Sequence, residues 1–347
     1  MNPRPDGPPI RPAVSVVLPV HDGAATLQHA IDSIRTQTYP SWELLVVDDG
    51  STDESPAIAQ ACARDDGRIR VLPLPHGGIV SALNAGLAEA RGRWIARMDA
   101  DDVSHPERLA LQIAFLESHP EVGLVSCRIT YGGDPERHAG YALHVDWLNS
   151  LVSIDDIAAA RFVESPFAHP SVVFAAEIAR RHGGYRDGDF PEDYELWLRW
   201  FEAGVTLAKV PEFLLRWSDP PDRLSRRDPR YRFDAFYHAK AGYLARHLMS
   251  GPASDRRCLV WGAGRLTRRR VELFEAAGLR VDGFVDVDPR KQHPRPDGRP
   301  VLAPEAVPPP AEAFVLGCVA NRGAREFQRN ILRARGYREG RDFLFAA

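Results

Sequence analysis

Three short apolar runs constrain what this chain can fold into: Val14-Ser15-Val16-Val17-Leu18-Pro19-Val20, Trp42-Glu43-Leu44-Leu45-Val46-Val47 and Arg93-Trp94-Ile95-Ala96-Arg97-Met98. Each is shorter than a buried helix and stops at a polar turn, so each reads as a buried strand. Between them the periodicity turns helical. Ala24 to Thr36 carries Leu27, Ala30, Ile31 and Ile34 on one stripe, helices follow at about Ser55 to Arg64 and Ile79 to Ala90, and Ile69 to Leu72 is a further strand. Strands alternating with helices at these intervals predict an α/β domain with a mostly parallel sheet. Ligands of such sheets lie beyond the carboxyl ends of the strands. The polar residues after Val20, Val47 and Met98 are therefore expected to converge on one crevice.

The third run ends in Asp99-Ala100-Asp101-Asp102, three carboxylates within four positions. Two unit charges ~4 Å apart repel by roughly 4 kcal/mol at an effective dielectric of about 20. A hard divalent cation with oxygen ligands, Mn²⁺ or Mg²⁺, is the natural counter-charge. A solvated acidic turn is the alternative reading, and the other acidic strand end, Asp48-Asp49-Gly50-Ser51-Thr52-Asp53, weighs against it.

In order and spacing, the Val-Ser-Val-Val-Leu-Pro-Val opening, the Val-Val-Asp-Asp-Gly-Ser-Thr-Asp turn and the Met-Asp-Ala-Asp-Asp strand end resemble the inverting family 2 glycosyltransferases of the GT-A type, over about Val14 to Leu248. The resemblance implies that Pro19, Val20 and His21 border a nucleobase, usually uracil, and that Asp49 accepts a hydrogen bond from its imide N–H. It further implies that Asp99 and Asp101 are the Asp-x-Asp pair, which contacts ribose and metal, with Asp102 either a direct ligand or a support. Asp48 and Asp53 read as turn-forming or capping residues. Where the family often has Arg-Asn before the Asp-x-Asp strand, this chain has Leu83-Asn84, which removes an arginine phosphate contact there.

Glu107 to Glu117 reads as an amphipathic helix, Val122 to Cys127 as a strand, and Tyr131 to Asp156 as a variable loop and helix insertion. His169 stands in Ala168-His169-Pro170-Ser171 before another strand. By itself it is a structural histidine, whereas the resemblance makes it an acceptor contact. Glu192-Asp193 heads a helix with Trp197, Trp200 and Phe201 at helical spacing. An acidic first turn suits the helix dipole, and the resemblance makes Asp193 the general base with Glu192 beside it. The stretch Arg216 to Arg227 reads as a loop, either solvated or closing over a diphosphate with Arg223 or Arg226. Tyr231 to Leu248 is a helix that packs on the core or rests against an anionic membrane.

Beyond a Ser250 to Asp255 linker, Arg257 to Trp261 enters the Gly262-Ala263-Gly264 turn, with a helix following and Asp286 about twenty residues on. The third glycine of the dinucleotide fingerprint is absent, position 267 being threonine. This part resembles small Rossmann-like nucleotide-sugar-binding domains. Either a nucleotide pocket or a structural, partner-docking module accounts for it.

The expected layout is a disordered tail over 1–12, a GT-A-type Rossmann-like glycosyltransferase domain over 13–249, a linker over 250–256 and a small Rossmann-like α/β domain over 257–347. A formal charge of -3 supplies no broad basic face, so no nucleic-acid partner is expected. No stretch reaches the ~18 apolar residues that a spanning helix needs, and the N-terminus lacks the apolar core of a signal peptide. Cys62, Cys127, Cys258 and Cys318 form no Cys-x-x-Cys pair, which fits neither disulfides nor zinc. A cytoplasmic location follows, with peripheral contact at the inner face of the membrane and a homo-oligomer both open. The expected activity is metal-dependent, inverting transfer from a nucleotide-sugar, a UDP-sugar, to a glycan or lipid-linked acceptor. A nucleotidyltransferase, a non-catalytic nucleotide-sugar sensor and an NAD-dependent oxidoreductase are the alternatives. The first lacks a glycine-rich basic phosphate loop after the first strand, and the last rests on Gly262-Ala263-Gly264 alone.

Overall fold

A computed structural model of the protein describes residues 11–220, 223–321 and 323–347. Most of the expected tail, together with Pro221 and Asp222, lies outside those residues. In chain order the elements are β1 (Val14–Val20), α1 (Ala24–Arg35), β2 (Trp42–Asp49), α2 (Ser55–Asp65), β3 (Ile69–Leu74), α3 (Ile79–Glu89), β4 (Trp94–Arg97), β5 (Val103–Ser104), α4 (Arg108–Ser118), β6 (Val122–Tyr131), α5 (Ala139–Ser150) and α6 (Ile154–Ala160). They continue with β7 (Val173–Ala175), α7 (Ala176–His182), α8 (Glu192–Glu202), β8 (Thr206–Trp217), α9 (Leu224–Arg227), α10 (Phe233–Met249), β9 (Arg257–Trp261), α11 (Arg265–Ala276), β10 (Gly283–Val285), β11 (Val301–Leu302), β12 (Ala313–Gly317), α12 (Ala324–Ala334) and β13 (Phe343–Phe345). None of the described helices is long and apolar enough to cross a membrane.

The chain divides into two compact units that interleave in sequence. The first runs through Ile154 and adds Phe167–Asp187 and Ala203–Arg223; the second takes Asp155–Pro166, Gly188–Glu202 and Leu224–Ala347. The first unit holds an eight-stranded mixed sheet in the order β3-β2-β1-β4-β7-β6-β8-β5. Its β3-β2-β1-β4 portion is parallel throughout. β7 runs antiparallel to both β4 and β6, β8 runs parallel to β6, and β5 runs antiparallel to β8.

Every residue of β1 and β2 is buried, as expected of parallel strands covered on both faces. On one face α3 lies so close that a side chain at Gly86 would run into Val17 and press on Val47, and glycine is what permits the approach. Leu27, Ile31 and Ile34 of α1 join Val16, Leu18 and Leu44 in the same core. One long strand escapes the sequence reading. β8 contains Pro211, and its register against β6 passes from Val210 opposite Cys127 to Phe213 opposite Arg128. Pro211 and Glu212 thus stand out as a bulge, where a residue without an N–H costs no ladder bond.

The second unit is built on a parallel sheet of five strands in the order β11-β10-β9-β12-β13. Its core reaches back to helices far upstream: Tyr194 and Leu198 of α8, and Tyr237, Leu244 and Leu248 of α10, cluster with Cys258, Val260 and Leu316. The segment after α10 is a packed turn in which Ala253 is fully buried. Lys240, also fully buried, donates to three carbonyls, those of Phe162 at 2.8 Å, Val163 at 2.9 Å and Ala346 at 2.8 Å. One ammonium thereby ties three distant stretches together. Lys240→Met removes all three donors and leaves carbonyls in the core, and should lower unfolding stability by about 2 kcal/mol or more, read as a fall in the urea midpoint.

Candidate functional site

In the parallel portion of the first sheet, β2, β1 and β4 end on one edge, and the connections that follow them carry the polar residues. The loops after β1 and β2 are clasped to each other. Asp22, in a left-handed conformation at φ 50, accepts the Thr52 N–H at 2.7 Å, while its own N–H donates to Ser51 Oγ at 3.0 Å. Asp53 caps both sides, its Oδ2 taking the Ala24 N–H and its Oδ1 the Ser55 N–H, each at 2.9 Å. Asp48 accepts the Ser51 N–H at 3.0 Å. Asp48 and Asp53 thus serve turn and cap. Gly50 turns at φ +68, and any side chain there would meet the backbone of His76.

Asp49 is buried, with Oδ1 accepting the Gly77 N–H at 2.8 Å and Oδ2 the Gly78 N–H at 2.9 Å. It binds the amides that open α3, leaving one lone pair on Oδ1. His21 and His76 lie over its carbonyl: both Nδ1 atoms approach Asp49 O, at 2.9 and 3.1 Å, and the rings stack at 4.2 Å. Both rings are largely exposed, so they form a flat platform beside the end of β1, where Pro19 and Val20 pair with Val47 and Asp48. His76 escapes the sequence reading; its only signal is the His-Gly-Gly that follows the third strand. His21, Asp49 and His76 bring donor atoms within 4.8 Å of one another. Stacked imidazoles, however, point their lone pairs side by side rather than at one centre, which is a poor frame for a metal.

The second cluster fits a cation better. Asp99, Asp101 and Asp102 place oxygens within 4.8 Å of one another. The turn bearing them is braced from below by Arg108, fully buried at the head of α4, which donates to the Arg97 carbonyl at 2.8 Å, Ser104 Oγ at 2.9 Å and Gln112 Oε1 at 3.1 Å. β5 then pairs with β8, Val103 opposite Arg216, which sets the Ser218 N–H on Asp102 Oδ1 at 2.7 Å. Arg97 pairs with Asp99 at 2.5 Å. The other oxygen of Asp102, Oδ2, is buried and has no hydrogen-bond partner. A buried carboxylate oxygen left without a donor costs free energy unless something positive meets it. Burial and the neighbouring Asp99 push the Asp101 carboxyl up to about 6, and burial with the charges of Asp99 and Asp101 raises Asp102 well above the usual carboxylate range. The donor set, all carboxylate oxygen, suits Mg²⁺ or Mn²⁺ rather than zinc or copper.

His169 begins a short 3₁₀ turn before β7 and is buried, its Nε2 within 2.7 Å of Tyr185 Oη. Burial and the charge of Arg97 hold it well below the usual imidazole range, so it is neutral. Tyr185 is fixed in turn by Asn84, whose side chain bonds both its N–H at 3.0 Å and its carbonyl at 2.9 Å. Leu83 is buried. In the second unit, Glu192 and Asp193 occupy the first turn of α8. Glu192 is buried and accepts the Tyr231 hydroxyl at 2.6 Å, and Asp193 Oδ1 accepts the Tyr194 N–H at 2.7 Å. At the glycine turn of that unit, Asp286 is buried, with Oδ2 accepting the Ala263 N–H at 2.9 Å and Oδ1 the Asp288 N–H at 3.0 Å, so its carboxylate ties the turn after β9 to the loop after β10.

The chain is similar to several known proteins. The family model "Glycosyl transferase family 2" matches residues 15–171, which include Asp49, Asp99, Asp101, Asp102 and His169 and stop short of α8. A putative glycosyltransferase, EpsE of Bacillus subtilis, is 32% identical over 249 residues, covering 70% of this chain and 85% of that protein. The amylovoran biosynthesis glycosyltransferase AmsE of Erwinia amylovora is 32% identical over 203 residues, 58% of this chain and 73% of its own length. Among solved structures, the mannosyltransferase PcManGT of Pyrobaculum calidifontis, in complex with GDP-Man and Mn²⁺, superposes with a TM-score of 0.51 at 24% identity over 72% of this chain and 67% of its own. Staphylococcus aureus TarS 1–349 with UDP-GlcNAc gives 0.53 at 17% identity over 68% of this chain and 66% of its own.

Because a cation must displace the proton that Asp101 holds below about pH 6, divalent affinity should collapse on acidification. The sign follows from the raised carboxyl: ionised above pH 6, it destabilises the metal-free fold, and Mn²⁺ offsets that cost. Mn²⁺ should therefore raise the thermal midpoint clearly at pH 7.5 and hardly at pH 5, as differential scanning fluorimetry would show.

Proposed function

The chain belongs to glycosyl transferase family 2, and on that premise we propose that it transfers a sugar, with inversion, from a UDP-sugar to a hydroxyl of a growing polysaccharide or lipid-linked acceptor. The observation that carries the reading is the partly buried carboxylate cluster at the end of β4, with its orphaned Asp102 oxygen, on the same sheet edge as Asp49. In the proposal Asp49 uses its remaining lone pair for the imide N–H of the base, and the base lies along Pro19, Val20 and the His21 ring. Asp99 and Asp101, with Asp102 beside them, would hold Mn²⁺ or Mg²⁺, and a bound ion supplies a Lewis acid for the charge that gathers on the diphosphate. PcManGT with GDP-Man and Mn²⁺ and TarS with UDP-GlcNAc support a nucleotide-sugar donor, and the amylovoran enzyme supports a polysaccharide product.

In the reaction the acceptor oxygen forms a bond to the anomeric carbon while the bond from that carbon to the phosphate oxygen breaks, its electron pair leaving on the nucleoside diphosphate. The acceptor proton goes to Asp193, the general base, whose place in the Glu-Asp pair heading α8 matches the family's catalytic motif. Glu192, tied to Tyr231, fixes the first turn that presents Asp193. His169, neutral and buried, is a contact for the acceptor side rather than a second base.

Two substitutions separate the roles. Asp193→Asn should lower turnover by about 10² to 10⁴ and leave nucleoside diphosphate affinity unchanged, whereas Asp101→Ala should weaken Mn²⁺-dependent binding of UDP itself. Activity is read as nucleoside diphosphate release with a screen of UDP- and GDP-sugars, and binding by calorimetry. Ordinary turnover by Asp193→Asn removes the base assignment, and binding of GDP but not UDP corrects the donor.

A further inference from the structure

Arg223 stands where β8 has just ended, and its surroundings in the first unit are unusual for a surface arginine. Its guanidinium carbon lies 3.9 Å from the centre of the Trp217 ring, stacked on the last residue of β8. The next residue, Ser218, gives its N–H to Asp102. The arginine's charge is felt at both Asp101 and Asp102, where it opposes the upward push of burial. Yet Arg223 makes no ion pair with either carboxylate, and its Nη1 is buried without a hydrogen-bond partner. A planar guanidinium stacked on an indole keeps its orientation while its N–H fork stays available. A buried, unsatisfied N–H destabilises the fold, so the arrangement is maintained against a penalty that an anion would remove.

Helix α3, ahead of the Asp-x-Asp strand, carries no lysine or arginine. Leu83 there is buried, and Asn84 is committed to Tyr185. A departing diphosphate brings two or more negative charges to a turn that already holds three carboxylates, and a single divalent ion does not balance that total.

We propose that Arg223, held flat on Trp217, is the protein's own cation for the diphosphate of the donor: its free N–H edge takes the phosphate oxygens that the cation at Asp99, Asp101 and Asp102 does not. The assignment rests on the donor reading above and adds to it the residue that recognises the leaving group. Trp217 is the positioning residue, acting only through Arg223. As the bond from the anomeric carbon to the phosphate oxygen breaks, the electron pair comes to rest on the diphosphate facing this guanidinium, so Arg223 strengthens its hold as charge develops.

The competing role is simple neutralisation of the acidic turn, and the two roles predict opposite results. With the full chain in MnCl₂, calorimetry of UDP, UMP and uridine, repeated with GDP, GMP and guanosine, is compared for wild type, Arg223→Gln and Arg223→Lys. Arg223→Gln should weaken diphosphate binding roughly 10- to 100-fold, the range for hydrogen bonds to charged groups. Nucleoside binding should stay within about twofold, which also shows that the variant is folded. Arg223→Lys should recover part of the loss, because a point charge remains while the fork is gone. Mn²⁺ alone should bind the Gln variant as tightly as wild type or more tightly, since a like charge has been removed. If the ratio of diphosphate to nucleoside affinity is the same in Arg223→Gln and wild type, the inference is overturned and Arg223 only neutralises the turn. If wild type binds neither diphosphate, the donor reading itself fails, and this one with it.

Discussion

Mutual repulsion among three carboxylates at the tip of β4 is the constraint around which the first unit is organised. Left alone, Asp99, Asp101 and Asp102 would splay into solvent; here they are gathered within 4.8 Å and partly buried. Holding them requires opposing charge and rigid attachment, and the neighbouring elements supply both. Arg97 reaches Asp99 from within β4, Ser218 clamps Asp102 from the end of β8, and Arg108 stiffens the turn from beneath. The bulged strand β8 and the two-residue strand β5 make sense in this light, because their pairing delivers Ser218 to Asp102.

The edge around Asp49 is held in a different way. There the backbone does the holding: the loops after β1 and β2 satisfy one another's amides, and Asp49 joins β2 to the first turn of α3. A carboxylate that already accepts two amides is held in one orientation, which preorganises whatever acceptor capacity remains. The stacked pair His21 and His76 extends this edge with a flat, exposed surface. One end of the crevice therefore stores electrostatic tension and the other is relaxed, a division that suits a ligand with a neutral head and a charged tail.

Much of this was legible in the chain. The strands β1 and β2 and the helices α1 to α4 declare themselves because local periodicity and polar stops coincide with buried faces, and the acidic strand ends follow directly. β8 was not, since Pro211 breaks the run that would have announced it. His76 and the bracing by Arg108 were hidden for another reason: an isolated histidine or arginine carries no period, and only the tertiary fold shows what it touches. The return of α8 to the second unit was equally silent. A helix displays an apolar face in sequence without displaying which sheet will cover it.

That last feature affects how the molecule is made. Residues 188–202 belong to the second unit, yet the chain on either side of them belongs to the first. A ribosome delivers α8 well before strands β9 to β13 exist, so Tyr194 and Leu198 must wait for Cys258, Val260 and Leu316, still unsynthesised. Folding therefore cannot finish in the order of synthesis, one unit after the other. Any gene that ended near residue 249 would also encode an α8 deprived of the sheet it was made to join.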